Sequence, residues 1–164
     1  MNPLTEDIIL DTLIEVNLDA CSFYRRIADS THIPQVERSL HRLEKIHMDI
    51  VTDLSIATYQ SGKLAPMGSL KHEDNPLLFN NISPPSPLPI DTRFVRAVEM
   101  AENDCLHILE KAITSEELGI DLKMHVMGAV DLLQRRHEHI SSLKRINKEY
   151  YVKHMYQCNE GYPV

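Results

Sequence analysis

Apolar side chains recur every three or four residues along four long stretches of this chain, a spacing that admits little besides α-helices. Residues 4–30 place Ile9, Leu13, Val16, Ala20, Phe23 and Ile27 on one side of a helix. Pro34 suits the first turn of a second helix, where its missing N–H costs little, and Gly62 suits that helix's end. Between them, over 34–61, the stripe runs through Leu40, Leu43, His47, Ile50 and Leu54. A third stripe, over 91–117, carries Phe94, Val98, Ala101, Cys105 and Leu109, with Asp91 or Thr92 as its cap. The fourth, over 121–148, carries Val126, Ala129, Leu133, His137, Ile140 and Lys144, with Asp121 as a candidate cap. Five glycines and no tryptophan fit helices and argue against a β-sandwich.

Helices that are apolar on one side only must bury that side against one another, so the expected fold is an all-α four-helix bundle. Helices one and two are joined by a few residues, as are three and four, which predicts two antiparallel hairpins. Residues 62–90 lie between the hairpins and hold six of the nine prolines, including the run Ser83-Pro84-Pro85-Ser86-Pro87-Leu88-Pro89. A segment of that length can climb the whole bundle, and its apolar patch Leu77-Leu78-Phe79 suggests that it packs down. The reading is one domain over residues 1–150, with 151–164 as a C-terminal tail that carries no readable motif.

Charge and cysteine content exclude several function classes. Seventeen Lys and Arg stand against 24 Asp and Glu, a net charge of -7 that opposes a phosphate backbone, so no nucleic-acid partner is expected. No apolar run reaches the roughly 18 residues a membrane helix needs. The first twenty residues are acidic and show no secretory leader. Cys21, Cys105 and Cys158 are widely spaced and suit free thiols better than a disulfide framework. A soluble, cytoplasmic protein is expected, and a homodimer is compatible with the bundle, although no stripe in the sequence marks the surface.

Ionisable residues do not belong on an apolar face unless they have partners. His47 falls near the centre of the second stripe, His137 near the centre of the fourth, and Glu102 within the third, all close to the helix midpoints. In an up-and-down bundle they would meet in one layer. Asp19 lies at the edge of the first stripe, with Asn17 and Tyr24 on its opposite flank. Glu44-x-x-His47 has the spacing by which two-metal bundle proteins present a carboxylate and an imidazole to one ion. On the fourth helix, Gln134 replaces the matching carboxylate. His47, Glu102 and His137, with Glu44 and Asp19 as further donors, are therefore candidate ligands for iron or manganese, which favour carboxylate and imidazole.

Four short motifs carry a family likeness. These are Asp19-Ala-Cys-Ser-Phe-Tyr24-Arg25, Glu99-Met-Ala-Glu102-Asn103, His137-Glu138, and Gly68-Ser69 after the second helix. On them the chain resembles the small bacterial ferritin-like four-helix-bundle proteins grouped as a domain of unknown function, over about residues 7–148. It departs from them in the crossover, where they often carry a Trp-bearing segment. The likeness implies a ferritin-like fold and little chemistry. Nucleophile triads, Gly-rich phosphate loops and paired CxxC elements are absent from the sequence, so an enzyme here would be metal-based, handling oxygen or peroxide. The alternative is a non-enzymatic helical interaction or stress-associated protein whose buried polar layer is structural.

Overall fold

The computed structural model describes residues 3–62, 78–85 and 91–160, with side chains over 5–62, 78–85 and 91–153. The chain is all-helical in these residues: α1 Pro3–Ser30, α2 Pro34–Gln60, α3 Thr92–Thr114, α4 Ile120–Gln134 and α5 Arg136–Glu160. α4 and α5 follow one another and together fill the fourth position, so four helical columns pack around one core. None of these helices is long and apolar enough to cross a membrane.

Local chemistry sets most of the boundaries. Pro34 opens α2, and Gly62 ends it with a φ of 77°, a left-handed conformation suited to glycine, while its N–H reaches the Tyr59 carbonyl at 3.1 Å. Asp91 caps α3 by accepting from the Phe94 N–H at 2.6 Å. Asp121 does not cap α4. Gly119 precedes that helix, and its N–H is bound at 2.8 Å by Glu6 from the far end of the sequence.

The single fourth helix expected from periodicity is two. Arg135 closes α4 with a tight bond from its N–H to the Leu132 carbonyl, at 3.1 Å, and α5 starts at the next residue. α5 then continues well beyond residue 148, through much of the segment expected to be a tail.

Pairs of side chains order the helices against each other. Asn17 meets His47 while Arg25, further along α1, meets Glu44, which is earlier in α2. On the other side, Thr92 meets Asn147, Glu99 meets Lys144 and Asn103 meets Arg136, so positions rise on α3 as they fall on α5. Of the segment between α2 and α3, residues 63–77 and 86–90, with Leu77 and Gly68-Ser69, lie outside the described residues. The part that is described, a turn closed by Ile82 N–H to the Phe79 carbonyl at 3.0 Å, packs down on the bundle. Phe79 is wholly buried there and Leu78 partly. Full burial of such a side chain is worth about 1.5–3 kcal/mol.

Candidate functional site

Near mid-bundle, four helices bring polar side chains inward at one level. Asn17 and Tyr24 come from α1, two turns apart on the same face. His47 comes from α2 and Glu102 from α3, each embedded in its apolar stripe. Arg136 comes from the first residue of α5. None is more than 2% exposed.

Their hydrogen bonds form a directed chain. Asn17 donates its amide to the Leu13 carbonyl at 2.7 Å, which leaves its Oδ1 to accept. His47 Nδ1 fills that acceptor at 2.7 Å. His47 Nε2 then faces Glu102 Oε1 at 2.9 Å, and the same oxygen accepts a short hydrogen bond from the Tyr24 hydroxyl. One proton must lie between Nε2 and Oε1, because both atoms would otherwise present lone pairs to each other. Burial, reinforced by the neighbouring Glu102, pushes the Tyr24 hydroxyl well above its ordinary range, so it remains a donor.

Aromatic rings enclose the chain. Tyr24 stacks on His47 at a centroid distance of 5.8 Å, and Phe79 meets the His47 ring edge-on at 5.5 Å. The apolar patch of the crossover is thus the cover of the polar layer. Asp19 holds it there: its Oδ2 accepts from the Phe79 N–H at 3.0 Å. Burial raises the Asp19 carboxyl above its ordinary range, against the lowering effect of the Phe79 and Asn80 amides. Asp19 is therefore a fastener for the turn, and its Oδ1 has no hydrogen-bond partner.

Arg136 completes the layer from the fourth side. Its guanidinium donates to the Leu133 carbonyl and to Asn103 Oδ1, each at 3.0 Å. Its charge acts on Tyr24 and Cys105, lowering both against the stronger effect of burial. Arg136 Nε and Glu102 Oε2 are both buried without a hydrogen-bond partner.

The structure brings His47 and Glu102 together, as the midpoint argument anticipates, keeps Asp19 beside them on the crossover turn, and turns His137 and Glu44 away. His137 is exposed, because the break at Arg135 and the seam through Leu133, Ile140 and Leu143 turn Arg136 inward in its place. Glu44 shares α2 with His47 but faces away, binding Arg25 through Oε1 at 2.6–2.7 Å and His41 through Oε2 at 2.9 Å. Burial works to raise its carboxyl, and the hydrogen bonds from His41 and Arg25 outweigh that and hold it below the ordinary range. Among the described residues, no three His, Cys, Asp or Glu side chains are grouped to hold a metal ion.

Arg136 is the residue that sequence reasoning missed, and a signal for it exists. Continuing Val126, Ala129 and Leu133 through residue 136 leads to Ile140, Leu143 and Ile146, whereas continuing through 137 leads to Lys144. Only the first path stays apolar beyond Ile140.

No known protein family, curated protein or solved structure matches the chain.

Proposed function

We propose that the protein is a non-enzymatic helical interaction protein with ferritin-like topology, two antiparallel hairpins joined by the 62–90 crossover. In this reading its buried polar layer fixes helix register and is not a metal centre. The observation that supports it is the use made of Glu102: one carboxylate oxygen serves both Tyr24 and His47, while a buried guanidinium stands on the same layer. Arg136 already places a positive charge in the layer, where it acts on Tyr24 and Cys105. The donor set also departs from the two-metal pattern of four carboxylates and two imidazoles, since Glu44 is engaged by Arg25 and His137 faces solvent. A buried polar chain with one satisfying arrangement penalises every shifted packing of the helices, which is how such chains specify register.

The competing reading, iron or manganese bound in the layer, is favoured by two buried carboxylate oxygens without partners, Asp19 Oδ1 and Glu102 Oε2. Thermal unfolding of untagged protein with added iron(II) or manganese(II) separates the two readings. A ligand that binds only the native state must raise its stability. Unchanged melting in wild type, together with a marked fall in melting temperature for His47→Ala, is the result expected. A metal-induced rise of several degrees that His47→Ala abolishes would overturn the structural reading.

A further inference from the structure

His47 is held between two acceptors. Asn17 commits its amide N–H to the Leu13 carbonyl at 2.7 Å, and its Oδ1 accepts from the Cys105 thiol at 3.9 Å. The same Oδ1 lies 2.7 Å from His47 Nδ1, so Nδ1 carries a proton. On the other edge of the ring, Nε2 stands 2.9 Å from Glu102 Oε1, which already accepts from the Tyr24 hydroxyl. A second proton lies between Nε2 and Oε1, whichever atom it is bonded to.

The folded pair thus holds two protons. In the unfolded chain a glutamate near 4.3 and a histidine near 6.5 hold only one between them above about pH 6.5. We infer that the His47–Glu102 pair is a proton-binding site formed by folding, through which the bundle takes up one proton near neutral pH and loosens as pH rises. The inference rests on the metal-free reading of the layer, since an ion on Nε2 or Oε1 would displace the shared proton.

The surroundings leave that proton as the exchangeable charge. α1 contributes Tyr24 and Asp19, and α3 contributes Cys105 beside Glu102. α5 contributes Arg136, a permanent cation, and the crossover turn contributes the Phe79 ring. Glu44, on the helix of His47, faces away, and α4 buries only apolar side chains. Burial holds the Tyr24 hydroxyl and the Cys105 thiol well above their ordinary ranges, so both stay neutral. Asp19 acts on His47 from the edge of the layer and, as an acid, favours the proton. Between about pH 4.3 and 6.5 the unfolded pair also holds two protons, and the stabilisation is complete. Above about pH 6.5 the unfolded pair holds one, and the unfolding constant rises about tenfold per pH unit.

Urea unfolding of untagged protein in a chelating buffer, from pH 6.5 to 8.0, tests this. In Glu102→Gln the side-chain amide can itself donate to Nε2, so no extra proton is taken up. The wild-type unfolding constant should grow about tenfold per pH unit relative to that variant. Exposed histidines, and His139 with its lowered value, contribute equally to both proteins. Proton NMR of wild type at pH 7.5 reads the site without a variant. Two slowly exchanging protons should lie against the His47 ring, one at each nitrogen. Parallel pH dependence in the two proteins, or a ring proton at Nδ1 alone, would overturn the inference. A metal-induced rise in melting temperature beside an intact slope in chelator would overturn the metal-free reading of the layer and support the proton site.

Discussion

His47 Nε2 lies 2.9 Å from Glu102 Oε1, two side chains 55 residues apart in sequence and both wholly shielded from solvent. The contact ties α2 to α3, and Tyr24 and Asn17 tie both to α1. Asn17, His47, Glu102 and Tyr24 form one hydrogen-bonded chain, so the layer is sensitive to loss of any one of them and most sensitive at Glu102.

Glu102→Leu leaves the Tyr24 hydroxyl and His47 Nε2 without their common acceptor. We expect it to cost about 2–5 kcal/mol in urea unfolding, since each buried polar group left unsatisfied costs about 1–3 kcal/mol. Arg136→Met in the same chain removes the other buried charged side chain of the layer, and we expect the double variant to be at least about 1 kcal/mol more stable than the summed single effects. Strict additivity would place Arg136 outside the layer.

Asp19 fastens the crossover turn through one hydrogen bond to the Phe79 N–H. Asp19→Ala should lower stability by about 1–2 kcal/mol and speed hydrogen exchange at the Phe79 amide. Asp19→Asn keeps an acceptor oxygen and should restore most of the protection. Equal exchange in all three proteins would contradict the role given to this carboxylate.

Glu44 makes stability depend on pH in a defined direction. Its folded carboxyl is held below the unfolded value of about 4.3, so its contribution is complete above that pH and is lost as pH falls through the folded value. The urea midpoint of wild type should exceed that of Glu44→Gln near neutral pH, and the difference should shrink toward zero by about pH 3. Arg25 is 60% exposed, which keeps the difference below about 1 kcal/mol. A gap that widens on acidification would refute the assignment.

The two described cysteines should be inert. Burial, with Glu44 nearby, pushes the Cys21 thiol up to about 12, and burial with Glu102 pushes Cys105 well above its ordinary range. Peptide mapping after brief iodoacetamide treatment should find both unmodified in native protein and both alkylated in urea. Rapid native labelling of Cys105 would mean that the layer opens freely.

Periodicity made the helices legible because each apolar stripe spans many turns, and it placed His47 and Glu102 correctly because both sit between apolar residues on either side. The fourth column was harder to read. Val126, Ala129 and Leu133 predict the next inward position only to within one residue, and a histidine at 137 is chemically more conspicuous than an arginine at 136. A long cationic side chain is rarely wholly buried, so burial statistics point away from Arg136 as well. Glu44 and Asp19 were unreadable for another reason: their partners Arg25 and Phe79 are fixed by packing between elements, and only the His41–Glu44 pair, three residues apart on α2, is local. Nor does a helical wheel show that α4 ends at Gln134, since the apolar rows of α4 and α5 continue across the break.

Phe79 and its turn have a consequence for how solvent reaches the interior. The ring closes over His47, and the turn is fastened to α1 through the Asp19 carboxylate and held by ring contacts with Phe23, Tyr24 and His47 and by the packing of Ile82 and Leu78. Displacing this ring would uncover His47 without separating any two helices. Solvent access to the Glu102 layer is therefore expected to follow the docking of one short turn, and substitutions at Asp19 are expected to tune it from outside.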